Sequence, residues 1–161
     1  MNPSVAPVLA VLKLDTRLFE KALCGLDRDA LVRPGVARGN PPIWIAAHLA
    51  GARYGMMALL GQPRAFPLGT SFGRGATLPE TAALPQIAEV LAVWREISAL
   101  FVDAVAHASD AALAATSPRS FPSDDKSVLG GLAFLAYHEG YHLGQLALIR
   151  KALGHPGLVD A

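Results

Sequence analysis

The chain has one cysteine, Cys24, so it cannot carry an internal disulfide framework, and its stability must come from a packed core. Charged residues make up only 17% of the 161 residues and balance to a formal net charge of +1. No run of like charge exceeds two residues, as at Asp124 and Asp125. The electrostatic footprint of a nucleic-acid or anionic-membrane partner is therefore missing. No apolar stretch is long enough to span a bilayer. The apolar N-terminus lacks a positively charged leader, and Lys13 interrupts it early, so it does not read as a signal peptide. With no membrane segment, a cytoplasmic protein is the default expectation.

What remains is a chain that is 52% hydrophobic, rich in Ala and Leu, and of single-domain size over residues 1–161. Helical periodicity dominates, and four segments carry it. The first runs from about Val5 to Cys24, with Val5, Val8, Leu12, Thr16, Phe19 and Leu23 on one face and Asp15 among the charges mostly elsewhere. Asp27 to Val32 reads as a short helical turn. Asn40 followed by Pro41 predicts the cap and first turn of a second helix reaching about Leu60, with Gly61 and Pro63 ending it. The long segment from Gln62 to Leu84 is placed to cover the mouth of a site. Pro85 opens a third helix to about Ala106, and the segment from Ser109 to Asp125 reads as a connection. A fourth helix starts near Ser123 to Lys126 and ends near Leu153, where Gly154 and Pro156 stop it. No segment reads as a strand pair. The expected fold is all-α, a four-helix bundle with long connections.

The chemistry concentrates in His138-Glu139-Gly140-Tyr141-His142. Histidines at i and i+4 share one helix face, so their imidazoles can converge on one ion. A tight site wants a third ligand, and His48 is the candidate, alone among apolar neighbours in the second helix. A buried imidazole needs a partner, because leaving it without one costs on the order of 1–3 kcal/mol. Taken singly, a mid-helix histidine such as His48 is more often a hydrogen-bonded core or surface residue than a ligand, and His138 with His142 reads equally as a solvated face. His107 suits a helix C-terminus, His155 falls in a tail, and Cys24 reads as a structural thiol. Gln145, Tyr141 and Arg53 are candidates for the second shell or for substrate binding. Gln145 follows His142 by almost a turn, Tyr141 also suits the core, and Arg53 could hold a carboxylate or stand exposed.

The same five residues match H-E-x-x-H, the zinc-peptidase helix motif. The extended motif's Gly and third His are replaced by Gln145 and Leu148, and no glutamate follows Glu139. Glu139 is expected to face solvent or a second shell. Gly140 and Gly144 share a different face, where they either pack against another helix, of this bundle or of a second subunit, or relieve crowding within the bundle.

The segments WIAAHLAGARYGMMALLG and HEGYHLGQLALIRKALG, with LDRDALVRPGVARGNPPI before them, resemble the DinB-like superfamily of metal-dependent four-helix bundles, including the YfiT-type proteins. The resemblance spans nearly the whole chain and implies His48, His138 and His142 as ligands of a divalent ion, Zn or Ni first, and a homodimer. It also implies an enzyme on a small-molecule substrate: a transferase using a low-molecular-weight thiol as co-substrate, or a hydrolase. A non-catalytic metal-stabilised binding or stress-response module is the alternative, and a small zinc peptidase the third reading.

Overall fold

The computed structural model describes residues 2–35 and 39–159. Four long helices form the frame: α1 (Ala6–Leu23), α3 (Pro42–Leu59), α4 (Ile87–His107) and α6 (Val128–Ala152). Two one-turn helices, α2 (Arg28–Val32) and α5 (Asp110–Ala114), sit in the connections. Among the described residues no strand forms, and a single isolated bridge joins Thr116 to Ser127. Among the described residues no helix is long and apolar enough to cross a membrane.

Each long helix exists because one face can be buried. In α6 the buried positions Leu132, Leu135, Glu139, Leu143, Leu146 and Arg150 recur every three or four residues. In α4 the expected stripe residues Val90, Trp94, Ile97, Phe101 and Val105 are buried together with Ser98 and Ala104, while Ile87 and Leu91, also expected there, are partly buried. The helix α3 is buried on nearly every side over its first half, from Pro42 to Ala47, which makes it the most enclosed element.

The helix ends follow local chemistry. Ser127 accepts from the Gly130 amide at the start of α6, and Asp27 accepts from Ala30 at the start of α2. At α4 the cap is Gln86, whose backbone N–H is met by the Glu89 carboxylate, rather than the expected Pro85 opening. At α3 the expected Asn40 cap does not form. Pro41 takes the cap position without a side-chain bond, and Pro42 is the first helical residue. Gly61 and Gly154 turn the chain at φ +73° and +81°, the left-handed conformation that glycine adopts without strain.

The helix α1 packs on α6 and α4, and α3 packs on the same two. Around the bundle the order is therefore α1, α4, α3, α6, with α1 and α3 on one diagonal. The first and third long connections both cross a diagonal, so the chain does not simply wind between neighbouring helices.

Where the diagonals cross sits Arg53, with no exposed surface. Its guanidinium donates to both oxygens of Glu139 on α6 at 2.7 Å, to Ser98 Oγ on α4 at 2.7 Å, and to Thr16 Oγ1 and the Leu12 carbonyl on α1. Its plane lies 4.0 Å from the Trp94 ring centroid, and Trp94 stacks on Phe19 at 3.9 Å. One side chain thus ties all four long helices together. Asp15, expected among the outward charges, is also buried, and among the described residues its Oδ2 has no hydrogen-bond partner.

Candidate metal centre

His48 lies one turn and a half into α3, and His138 and His142 share one face of α6, the helix that packs beside it. The three rings meet with centroids 4.6 to 5.0 Å apart, all edge to face. Each offers one nitrogen, and the three nitrogens lie within 4.8 Å of one another. His48 Nε2 and His138 Nε2 stand 3.0 Å apart. All three side chains are half-buried.

Two of the rings are held from behind. His48 Nδ1 donates to the Phe72 carbonyl at 2.6 Å, and His142 Nδ1 donates to Gln145 Oε1 at 2.8 Å. A proton fixed on Nδ1 leaves the Nε2 lone pair free to face inward, the arrangement that orients metal-binding histidines. Trp44 stacks flat on His48, ring planes 9° apart, and its Nε1–H donates to the Ser71 carbonyl. The long connection between α3 and α4 is thereby fastened over His48, as its position suggested.

The electrostatics favour neutral rings. Burial lowers the pKa of His48 and of His142. His138 is driven down to about 4 by burial and by the two neighbouring imidazoles. Neutral imidazole is the form that binds a cation, and three of them leave an ion's full positive charge uncompensated. The donor set fits a divalent metal ion.

Glu139 is not part of this cluster. Expected to face solvent or a second shell, it is fully buried on the adjoining, core-facing side of α6, with both oxygens on Arg53. Burial pushes its carboxyl upward against the pull of the guanidinium. Arg53 is likewise enclosed and committed, so it does not offer itself to a substrate carboxylate. Tyr141 is 55% exposed, outside the core, its ring against the outer side of His142. Cys24 is exposed rather than a packed thiol. His107 is exposed beside Asp103, and His155 lies near Gly25.

Beside His48 and His138 opens a cavity of about 590 Å³, within the range of small-molecule sites. Phe66, Phe72, Phe121 and Phe134 form much of its apolar wall, and Arg64, Arg74 and Arg119 also line it. The arginines could have been noticed as cations in glycine- and proline-rich connections. The Phe72 carbonyl had no signal, because a backbone acceptor leaves no trace in residue type.

A helical bundle with a histidine cluster between two of its helices defines a class of candidate metalloprotein. The family model of the DinB superfamily matches residues 12–146, and the chain belongs to that superfamily. Neither a curated protein nor a solved structure matches it at a significant level.

Proposed function

We propose that this protein is a divalent-metal-dependent enzyme acting on a small molecule, with His48, His138 and His142 as the metal's ligands. The observation that carries the reading is the convergence of three imidazole nitrogens within 4.8 Å, two of the rings held by acceptors on Nδ1, next to a cavity of about 590 Å³. A divalent ion bound there supplies a Lewis acid able to make water or a thiol nucleophilic near neutral pH. The protein's own share is to orient the rings through Phe72 and Gln145, to keep them unprotonated, and to hold an organic substrate against an apolar wall.

Zn²⁺ or Ni²⁺ suits an all-imidazole donor set. Among reactions, thiol-dependent transfer is preferred to hydrolysis on the strength of the family resemblance, with a low-molecular-weight thiol as co-substrate in the cytoplasm. A non-catalytic metal-stabilised module is the second reading, and the size of the cavity weighs against it. The peptidase reading is opposed by Glu139, whose two oxygens are engaged by Arg53 and which cannot serve the three histidines as general base. A homodimer through the open α6 face around Gly140 and Gly144 completes the proposal. Beyond the backbone of its own helix, neither glycine has a described residue's atom within 4 Å of where a Cβ would stand, so crowding inside this bundle does not account for them.

The test is metal analysis of the wild type beside His48→Ala and His138→Ala after exposure to Zn²⁺, Ni²⁺, Mn²⁺ and Fe²⁺ in turn. One equivalent in the wild type and a large loss in both variants is expected. A wild type that loads none of the four ends the enzyme reading.

A further inference from the structure

The cavity beside the histidines has a polarity of charge that its size alone does not explain. Arg64, Arg74 and Arg119 line it, and among the described residues no carboxylate does. Among the described residues none of these three arginines is in an ion pair, and all three stand at the exposed rim. Arg95, by contrast, makes a two-pronged contact with Glu20. An unmatched cation beside an apolar hollow attracts an anion and has two or more N–H groups to hold it.

The position of Arg119 gives the arrangement a length. A Cβ placed on Gly55 would stand 2.6 Å from Arg119 Nη1, so the guanidinium lies against α3 at that residue. Gly55 follows His48 by seven residues, which puts both on one face of the helix, about 10 Å apart along its axis. Between them the same face carries Gly51 and Ala52, whose small side chains leave the floor open, while Phe66 closes over Gly51. The cavity is thus a trough with a histidine cluster at one end, a guanidinium at the other and aromatic walls between.

We infer that the small molecule taken by this site is an amphiphilic anion, with a carboxylate or phosphate held by Arg119 about 10 Å from the end that reaches the histidines. This rests on the reading of the cavity as the substrate site. Arg119 is then the specificity-determining residue, and Arg64 and Arg74 raise the local concentration of anions without fixing their position. The apolar walls select a hydrocarbon or aromatic body, so a small inorganic anion gains only the charge contact.

The experiment compares two thiols of equal reach, 8-mercaptooctanoate and 8-mercapto-1-octanol, titrated calorimetrically into the full chain supplied with Co²⁺. A thiolate-to-cobalt absorption band reports on the histidine end independently of the heat. The carboxylate is expected to bind at least about tenfold more tightly than the alcohol in the wild type. That preference should fall to near unity in Arg119→Gln, with the band kept for both thiols and the melting curve unchanged. Equal affinity of the two thiols in the wild type, or a preference that survives in Arg119→Gln, overturns the inference. If no band appears with either thiol, the metal reading fails by itself, and the ratio of the two affinities still decides the anion site.

Discussion

Glu139 follows His138 directly in sequence, yet both its carboxylate oxygens accept from Arg53 at 2.7 Å on the core-facing side of the helix. One residue of helical advance turns a side chain by about 100°, enough to separate the histidine face from the core face. The pair is enclosed, and Arg53 further engages Ser98, Thr16 and Leu12. The consequence is a division of labour along α6, with alternate stretches of its circumference given to the cavity and to the core.

Removing one member of that pair strands the other charge. Arg53→Met is expected to cost about 3–5 kcal/mol in urea unfolding, and Glu139→Gln rather less because it keeps an acceptor. The double variant Arg53→Met with Glu139→Met should recover much of the loss. If Arg53→Met unfolds at the wild-type midpoint, the network does not hold the bundle as described.

Much of this was legible beforehand. Period-3.6 stripes gave α1, α3, α4 and α6 to within a few residues, because a buried face constrains many positions at once. The convergence of His48 with His138 and His142 was also readable, since two histidines one turn apart in an otherwise apolar setting ask for a third. The buried side chains Asp15, Arg53 and Glu139 were misread for the opposite reason: a charge is normally a sign of exposure, and only tertiary pairing reverses it. The one-turn helix α5 escaped because a five-residue segment, Asp110–Ala114, has too little periodicity to register.

Gln145 accepts the Nδ1 proton of His142 and so fixes which nitrogen faces the cluster. Gln145→Leu should weaken metal binding by about 10–100-fold in competition with a chromophoric chelator, without changing the stoichiometry. An unchanged affinity would mean that His142 is oriented by something else.

The three depressed histidines set a pH profile. Their folded pKa values lie below those of free imidazole, with His138 near 4, so protons compete weakly for the site at neutral pH. Metal affinity is expected to hold between about pH 8 and 6.5 and to fall as the pH drops through the folded values toward 4. A steep loss already between pH 8 and 7 would contradict neutral, sheltered rings.

Asp15 runs the other way. Burial, aided by the Glu139 charge, raises its carboxyl from 3.8 to about 6, so the folded state holds this proton more tightly than the unfolded chain. The resulting stabilisation is full below the unfolded value and is lost as pH rises through about 6. Asp15→Asn should therefore stabilise the protein at pH 7.5 by roughly 1–3 kcal/mol and have little effect near pH 4. Denaturant melts at the two pH values check the sign, and a variant less stable at both would refute it.

The glycines of α6 divide into two kinds. A Cβ at Gly130 would meet the Asp125 backbone and side chain at less than a normal contact, so Gly130→Ala should destabilise markedly. Gly140 and Gly144 face open space, next to exposed Tyr137, Tyr141 and Leu148. If the proposed dimer forms through this face, Gly144→Leu is expected to leave the circular dichroism of the fold intact while shifting sedimentation from dimer to monomer. A dimer that tolerates leucine there must form through another face.

Trp44 and His48, one turn apart on α3, hold consecutive carbonyls of the long connection, Ser71 and Phe72. Anyone reshaping that segment therefore inherits a two-residue anchor. Grafts or deletions confined to its distal stretch leave the imidazole of His48 correctly protonated, whereas shifting the chain by a single peptide unit at 71–72 would retune the site from a distance.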